Sequence, residues 1–115
     1  MHFHAPSEHT IDGENKGLEL HLVHRDVETL KAAAVVSIMF DVIDGDGQED
    51  IFLDGIEPAL YEPDDLAVSD EHIGALNLMS FLEDVDFRAF YYYDGSFTTP
   101  PCTEGIKWFV VTKVR

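Results

Sequence analysis

Apolar and polar residues alternate along residues 18–25. This period of two predicts a β-strand whose two faces differ, because successive side chains of a strand point to opposite sides. Three leucines share one face with His24, whereas Glu19, His21 and Val23 share the other. A strand that carries a glutamate and a histidine on one face is the first candidate for a site.

The rest of the chain reads as mainly β-structure with short helices. Between the first two predicted strands, residues 5–17 are polar, and Asp12-Gly13 is a typical hairpin turn. Apolar, β-branched and aromatic residues predict strands, and a proline near the start of a short apolar segment predicts a helix. Strands are predicted at 1–4, 18–25, 34–43, 88–93 and 106–114, a short helix at 56–60, and either a helix or a strand at 73–82.

The composition limits the class of protein. The 115 residues suffice for a single domain, 1–115, and the formal net charge of −16 excludes a nucleic-acid partner and an anionic membrane surface. No apolar run approaches the roughly 18 residues of a membrane span, and no signal peptide is recognisable. Fifteen of the 23 acidic residues fall between positions 41 and 86, which suits a salt-rich habitat. We therefore expect a very acidic, halotolerant protein.

The histidines are the strongest chemical signal. His2 and His4 are two residues apart, so on a strand both imidazoles point to the same side. If this strand pairs antiparallel with residues 18–25, His21 can complete a group of three nitrogens. Three neutral imidazoles with an open fourth position are the ligand set of a catalytic zinc ion.

A second metal chemistry competes on the same spacing. The pattern His2-x-His4-x-x-x-Glu8 also occurs in cupins, where the glutamate itself binds iron or manganese. The cupin pattern requires a glycine where Asn15 stands, and it requires a separate later histidine motif. A cupin-like metal oxygenase is thus the weaker alternative.

Two long motifs resemble α-class carbonic anhydrases. Residues 2–13 (HFHAPSEHTIDG) with 18–24 (LELHLVH) resemble the zinc-site segment of that family. Residues 93–101 (YDGSFTTPP), followed by Trp108, resemble its substrate-site loop. The resemblance implies the central part of a mixed, mostly antiparallel sheet, incomplete relative to the family domain.

The resemblance also implies roles for individual residues. The zinc ligands would be His2, His4 and His21, and Glu19 would accept the other ring N–H of the third ligand. The hydroxyl of Thr98 would accept a hydrogen bond from zinc-bound hydroxide and donate its own proton to Glu8. Of the remaining sites, His9 and Tyr93 would support the loop, Thr99 would lie beside the product, and Val23, Val35, Phe97 and Trp108 would form the apolar wall for carbon dioxide.

These roles imply the activity of a carbonic anhydrase, which is a zinc lyase. Zinc (Zn²⁺) would lower the pKa of its bound water to about 7, and the resulting hydroxide would attack carbon dioxide to give bicarbonate and a proton. The alternative within the same fold is a non-catalytic remnant that binds zinc or a partner. By family resemblance the location would be secreted, periplasmic or otherwise extracytoplasmic.

The chain also departs from the family. By the resemblance, we expect no counterpart in these residues for the strands, the supporting glutamine and the proton-shuttle histidine that precede the first ligand in the family, and we expect the family's last strands to be missing. Exposed sheet edges would then invite a homodimer. The single cysteine, Cys102, would be a free thiol or half of a lost pair.

Overall fold

The computed structural model describes residues 1–41, 82–83 and 85–112. Residues 3–41 and 86–112 belong to one compact unit, which holds the main sheet. The predicted helix at 56–60 lies outside the described residues, as does the segment 73–82 apart from Leu82. No helix in the described part of the chain is long and apolar enough to cross a membrane.

Seven strands are present among the described residues. Five form one sheet in the order β1-β4-β5-β7-β6, and two form a small hairpin of β2 and β3. This confirms the predicted mainly β fold. The bounds are β1 His2–His4, β2 Thr10–Ile11, β3 Glu14–Asn15, β4 Leu18–Arg25, β5 Ala32–Phe40, β6 Phe90–Ser96 and β7 Glu104–Val111.

The sheet is mixed, with more antiparallel than parallel pairs. Strand β5 runs antiparallel to β4 and parallel to β7, and β6 runs antiparallel to β7. Strand β1 lies next to β4, so the histidines of the first segment are placed beside the alternating strand.

Both faces of the central strands are buried. Leu20 and Ile38 are paired in register on one face, whereas Glu19 and His21 on the other face are equally inaccessible to solvent. Burial of Leu20 alone is worth roughly 1.5–3 kcal/mol. A glutamate and a histidine inside such a sheet need partners, because burying an unpaired charge costs several kcal/mol.

The Asp12-Gly13 turn has the backbone that its sequence predicts. Asp12 and Gly13 have positive φ angles of 53° and 84°, and Ile11 pairs with Glu14 across them. Two positive φ values in a two-residue loop match the twist of a hairpin, and glycine adopts such a φ without steric cost. The small hairpin brings the chain from the glutamate-histidine pair at positions 8 and 9 back towards β4.

Candidate metal centre

Three histidines from two neighbouring strands come together. His2 and His4 belong to β1 and His21 to β4, and one nitrogen from each lies within 4.8 Å of the others. The rings of His4 and His21 have centroids 4.6 Å apart. Phe3, between the two β1 histidines, points the other way and is buried against Phe40. Alternation along β1 therefore turns both imidazoles toward His21.

Glu19 supports this group with a fully hydrogen-bonded carboxylate. Its Oε2 accepts the backbone N–H of Glu8 at 2.7 Å and of His9 at 2.8 Å. Its Oε1 lies 2.7 Å from His21 Nε2, 2.5 Å from His9 Nδ1 and 2.5 Å from Ser37 Oγ. Five donors thus converge on one buried side chain.

These contacts assign the tautomer of His21. Burial alone would raise the pKa of Glu19, but hydrogen bonds from His21, His9 and Ser37 outweigh it and lower the pKa below its usual range. An ionised carboxylate only accepts hydrogen bonds, so the nitrogen that faces it carries the proton. His21 therefore donates through Nε2–H and keeps the lone pair of Nδ1 for a metal ion.

His4, a second ligand candidate, is also held in the neutral form that metal binding needs. Burial and the neighbouring His21 lower the pKa of His4, and the opposing charges of Glu8 and Glu19 do not reverse the shift. The nearest carboxylate oxygen of Glu8 is 3.5 Å from His4 Nε2. Three neutral imidazole nitrogens are a donor set that suits zinc, so the residues present fit this ion.

A second group of possible ligands overlaps the first. His9, Glu19 and His21 offer atoms within 4.8 Å of one another. Hydrogen bonds from both histidines to the Glu19 carboxylate explain this proximity. In the described part of the chain, Glu8 belongs to neither group, so the structure does not reproduce the ligand set of a cupin.

His9 links the carboxylate to Tyr93. Its Nδ1 faces Glu19 and therefore carries a proton, which leaves Nε2 to accept from the Tyr93 hydroxyl at 2.6 Å. Burial raises the pKa of Tyr93, and the charges of Glu19 and Glu8 add to this. The phenol thus stays protonated and donates. The structure places these two predicted supporting residues in contact.

Four of the five residues predicted to contact the substrate pack together. Val35 and Trp108 are buried in one apolar cluster, and Val23 and Phe97 pack against it. Val23, Val35 and Trp108 lie side by side in register on β4, β5 and β7. The Trp108 ring lies 4.9 Å from that of His21, between centroids, so this apolar patch adjoins the histidine group.

The remaining predicted site residues are exposed to solvent. Glu8, Thr98 and Thr99 are exposed, and the described residues show no hydrogen bond between the Thr98 hydroxyl and Glu8. The predicted Thr98–Glu8 pair stays a prediction. Cys102 is an exposed free thiol.

Sequence reasoning missed two residues of the site. Ser37 is buried and donates to Glu19, and Gly95 lies against the Tyr93 and Trp108 rings. A Cβ atom at position 95 would lie 2.8 Å from Tyr93 Cε2, so the ring can occupy its place only beside a glycine. One signal was available, since Ser37 is the single polar residue within the apolar run 34–40.

Comparison with known proteins identifies relatives over the whole chain. A family model described as eukaryotic-type carbonic anhydrase matches residues 1–115. Alpha carbonic anhydrase 7 from Arabidopsis thaliana is 36% identical over 115 residues, which are 100% of this chain and 39% of that protein.

Two solved structures give the same result. An α-carbonic anhydrase from Photobacterium profundum superposes with a TM-score of 0.76 at 34% identity, covering 99% of this chain and 48% of that one. A halotolerant carbonic anhydrase from Dunaliella salina has a TM-score of 0.74 at 30% identity, covering 99% and 44%. The chain thus spans less than half the length of these relatives.

Proposed function

Because the chain belongs to the eukaryotic-type carbonic anhydrase family, we propose that it catalyses the reversible hydration of carbon dioxide to bicarbonate and a proton. The observation that carries this proposal is the histidine group beside a buried carboxylate. His2, His4 and His21 converge, and Glu19 holds the third ring with its proton on the nitrogen that faces away from the group.

In this proposal His2, His4 and His21 hold zinc. When bound, zinc supplies hydroxide at neutral pH by lowering the pKa of a coordinated water to about 7. Glu19 fixes the ring of His21 and makes its lone pair a better donor.

The apolar cluster is the proposed resting place of carbon dioxide. Trp108 lies beside the His21 ring, Val35 belongs to the same apolar cluster as Trp108, and Val23 packs against that cluster. Carbon dioxide is neutral and apolar, so positioning near the nucleophile requires no charged group.

Glu8 and Thr98 are assigned to the control of protons. The Thr98 hydroxyl would donate to Glu8, and its oxygen could then only accept a hydrogen bond from the attacking hydroxide. This arrangement would turn the nucleophilic lone pair toward the apolar cluster. The proton released in each cycle would pass to water, to buffer or to an acidic side chain.

The test is zinc analysis together with stopped-flow hydration of carbon dioxide, applied to the protein and to His21→Ala. We expect about one zinc per chain and catalysed hydration in the wild type, and loss of both in His21→Ala. His24→Ala is the matched control, because His24 is an exposed histidine on the same strand. Full activity and zinc content in His21→Ala would refute the proposal.

The exposed positions of Glu8 and Thr98 favour a second candidate, a non-catalytic protein that binds zinc or a partner. The same experiment separates the two functions. Stoichiometric zinc without catalysed hydration would establish the second candidate.

We also propose that the acidic surface is an adaptation to salt. The net charge of −16 is self-repulsive, and added salt screens such repulsion. A halotolerant relative of similar fold supports this proposal. Urea unfolding in 0.1 and 2 M NaCl should show higher stability at high salt, and stability that does not rise would contradict it.

The homodimer and the extracytoplasmic location are further proposals. Among the described strands, β6 pairs only with β7, and Phe90, Tyr91 and Tyr92 on it are exposed. An exposed edge strand can pair with a second copy. Sedimentation should show dimers that strengthen with salt, whereas monomers at all concentrations would exclude them. Cell fractionation of the source organism tests the location, which rests on family resemblance alone.

A further inference from the structure

Ser37 occupies a position in β5 where a hydroxyl has a specific consequence. It is paired in register with His21 on β4, and its side chain is fully buried. The Oγ atom donates to Glu19 Oε1 at 2.5 Å, which is the same oxygen that accepts from His21 Nε2. Ser37 and the candidate zinc ligand therefore share one acceptor atom.

The two oxygens of Glu19 are held by different parts of the chain. The backbone N–H groups of residues 8 and 9 hold Oε2. His9, His21 and Ser37 hold Oε1. Of the five donors, only the Ser37 hydroxyl comes from β5. Its hydrogen bond is therefore the one that holds the Glu19 carboxylate, which belongs to β4, against the neighbouring strand β5.

Loss of this donor would change the direction of Oε1. With Ser37 removed, the side-chain donors left to Oε1 are His9 and His21, and the carboxylate can rotate towards His9. The hydrogen bond to His21 Nε2 would then bend, and the ring would turn with it. Since Nδ1 is on the opposite side of the same rigid ring, its lone pair would move away from His2 and His4.

We propose that Ser37 is a positioning residue for the metal centre: it fixes the Glu19 carboxylate in the orientation that aims His21 at the bound ion. This inference rests on the proposed zinc site and assigns it a further residue. Ser37 itself would touch neither the ion nor the substrate.

The experiment measures zinc affinity by competition with a chromophoric chelator for Ser37→Ala and for the pair Ser37→Thr and Ser37→Val. Threonine and valine have nearly the same shape, so their difference reports the hydroxyl even if both alter packing. We expect Ser37→Ala and Ser37→Val to bind zinc about tenfold more weakly, the lower end of the range for outer-shell partners, and Ser37→Thr to restore much of the affinity.

Ser7→Ala is the matched control. Ser7 is also buried, but its hydroxyl donates to the backbone oxygen of His9 and accepts from the N–H of Lys16, without touching Glu19. Its zinc affinity should remain close to that of the wild type. Equal losses in Ser7→Ala and Ser37→Ala would show a general packing effect and overturn the proposal.

A second readout needs no zinc. In the metal-free protein, the ring N–H protons of His21 and His9 that face Glu19 should give downfield proton NMR signals. Ser37→Ala should shift or broaden the His21 signal, and Ser37→Thr should retain it. Unchanged signals together with unchanged zinc affinity would refute the role of Ser37. A wild-type protein without zinc affinity would instead refute the proposed function.

Discussion

The candidate site has two halves: the histidine group with Glu19, and the predicted pair of Glu8 with Thr98. The two glutamates, eleven residues apart, show that the two halves are held differently. Glu19 is buried and receives five hydrogen bonds, whereas Glu8 is exposed and its side chain approaches His4 at 3.5 Å. The buried carboxylate is oriented by donors from two strands, β4 and β5, and from the loop at residues 8 and 9. The half of the site that holds the candidate metal ligands is thus organised by this part of the chain, and the half that would handle protons, Glu8 with Thr98, is not.

The largest expected effect is that of Glu19→Gln. A neutral amide cannot accept all five hydrogen bonds, and its own N–H₂ would face other donors. We expect a loss of about 3 kcal/mol in the free energy of unfolding and a 10- to 100-fold loss in zinc affinity. Urea unfolding and chelator competition measure the two quantities.

Glu8→Gln is the control for this comparison, because it removes the charge of an exposed carboxylate. Its free energy of unfolding should stay within about 0.5 kcal/mol of the wild type. If both variants lost the same stability, the contrast between the two glutamates would be wrong.

Gly95→Ala tests whether the half of the site that is organised around Glu19 includes the packed rings of Tyr93 and Trp108. The new methyl group would overlap the Tyr93 ring, which stacks on Trp108 with an interplanar angle of 4°. We expect the free energy of unfolding to fall by about 1–3 kcal/mol. Trp108 is the only tryptophan, so its fluorescence should change as well. Asp94→Ala, an exposed neighbour, should be close to neutral, and a neutral Gly95→Ala would show that the rings shift freely.

Tyr93→Phe tests the contact between His9 and Tyr93 through the pH dependence of the free energy of unfolding. The pKa of Tyr93 is raised in the folded state, so the unfolded chain loses its phenol proton first, near pH 10. The stability from this group is present below pH 10 and falls as the pH rises from there to the folded pKa. The Tyr93→Phe variant should lose about 1 kcal/mol in the free energy of unfolding at pH 7. Above pH 10, its stability should fall less steeply than that of the wild type.

Urea unfolding between pH 7 and 11 measures this difference, with Tyr91→Phe as the control on the same strand. Tyr91 is more exposed than Tyr93, so its substitution should leave the curve near that of the wild type. Parallel curves for all three proteins would contradict the role assigned to Tyr93.

The smallest effect on stability is expected for Thr98→Ala, which alters an exposed residue. Unfolding free energy should change by no more than about 0.5 kcal/mol, and zinc affinity should not change. If the proposed catalysis is correct, the rate of carbon dioxide hydration should fall about 100-fold. A loss above 1 kcal/mol in the free energy of unfolding would show that Thr98 belongs to the half of the site that is organised around Glu19.

Much of the fold was predictable because the local signals agreed. The alternating pattern at 18–25 and the Asp12-Gly13 turn correspond to β4 and to a two-residue hairpin. Strand ends were less accurate: β5 begins at Ala32 and β6 continues to Ser96, beyond the predicted 34–43 and 88–93. Small residues such as Ala32 and Gly95 pair in the sheet although their own propensity for strands is weak.

The sequence by itself determined which chemistry was available. The spacing of His2 and His4 places two imidazoles on one side of a strand, and alternation puts His21 on the same face as Glu19. Periodicity needs only local geometry, so a single strand is enough to predict it.

Only the tertiary structure decided which groups share a partner. The pairing of β4 with β5 puts Ser37 opposite His21, and β7 brings Trp108 beneath the histidines. Register between strands far apart in the chain is set by the packing of the whole sheet. For that reason the hydrogen bonds of Glu19 to Ser37 and His9 could not be derived from the order of residues alone.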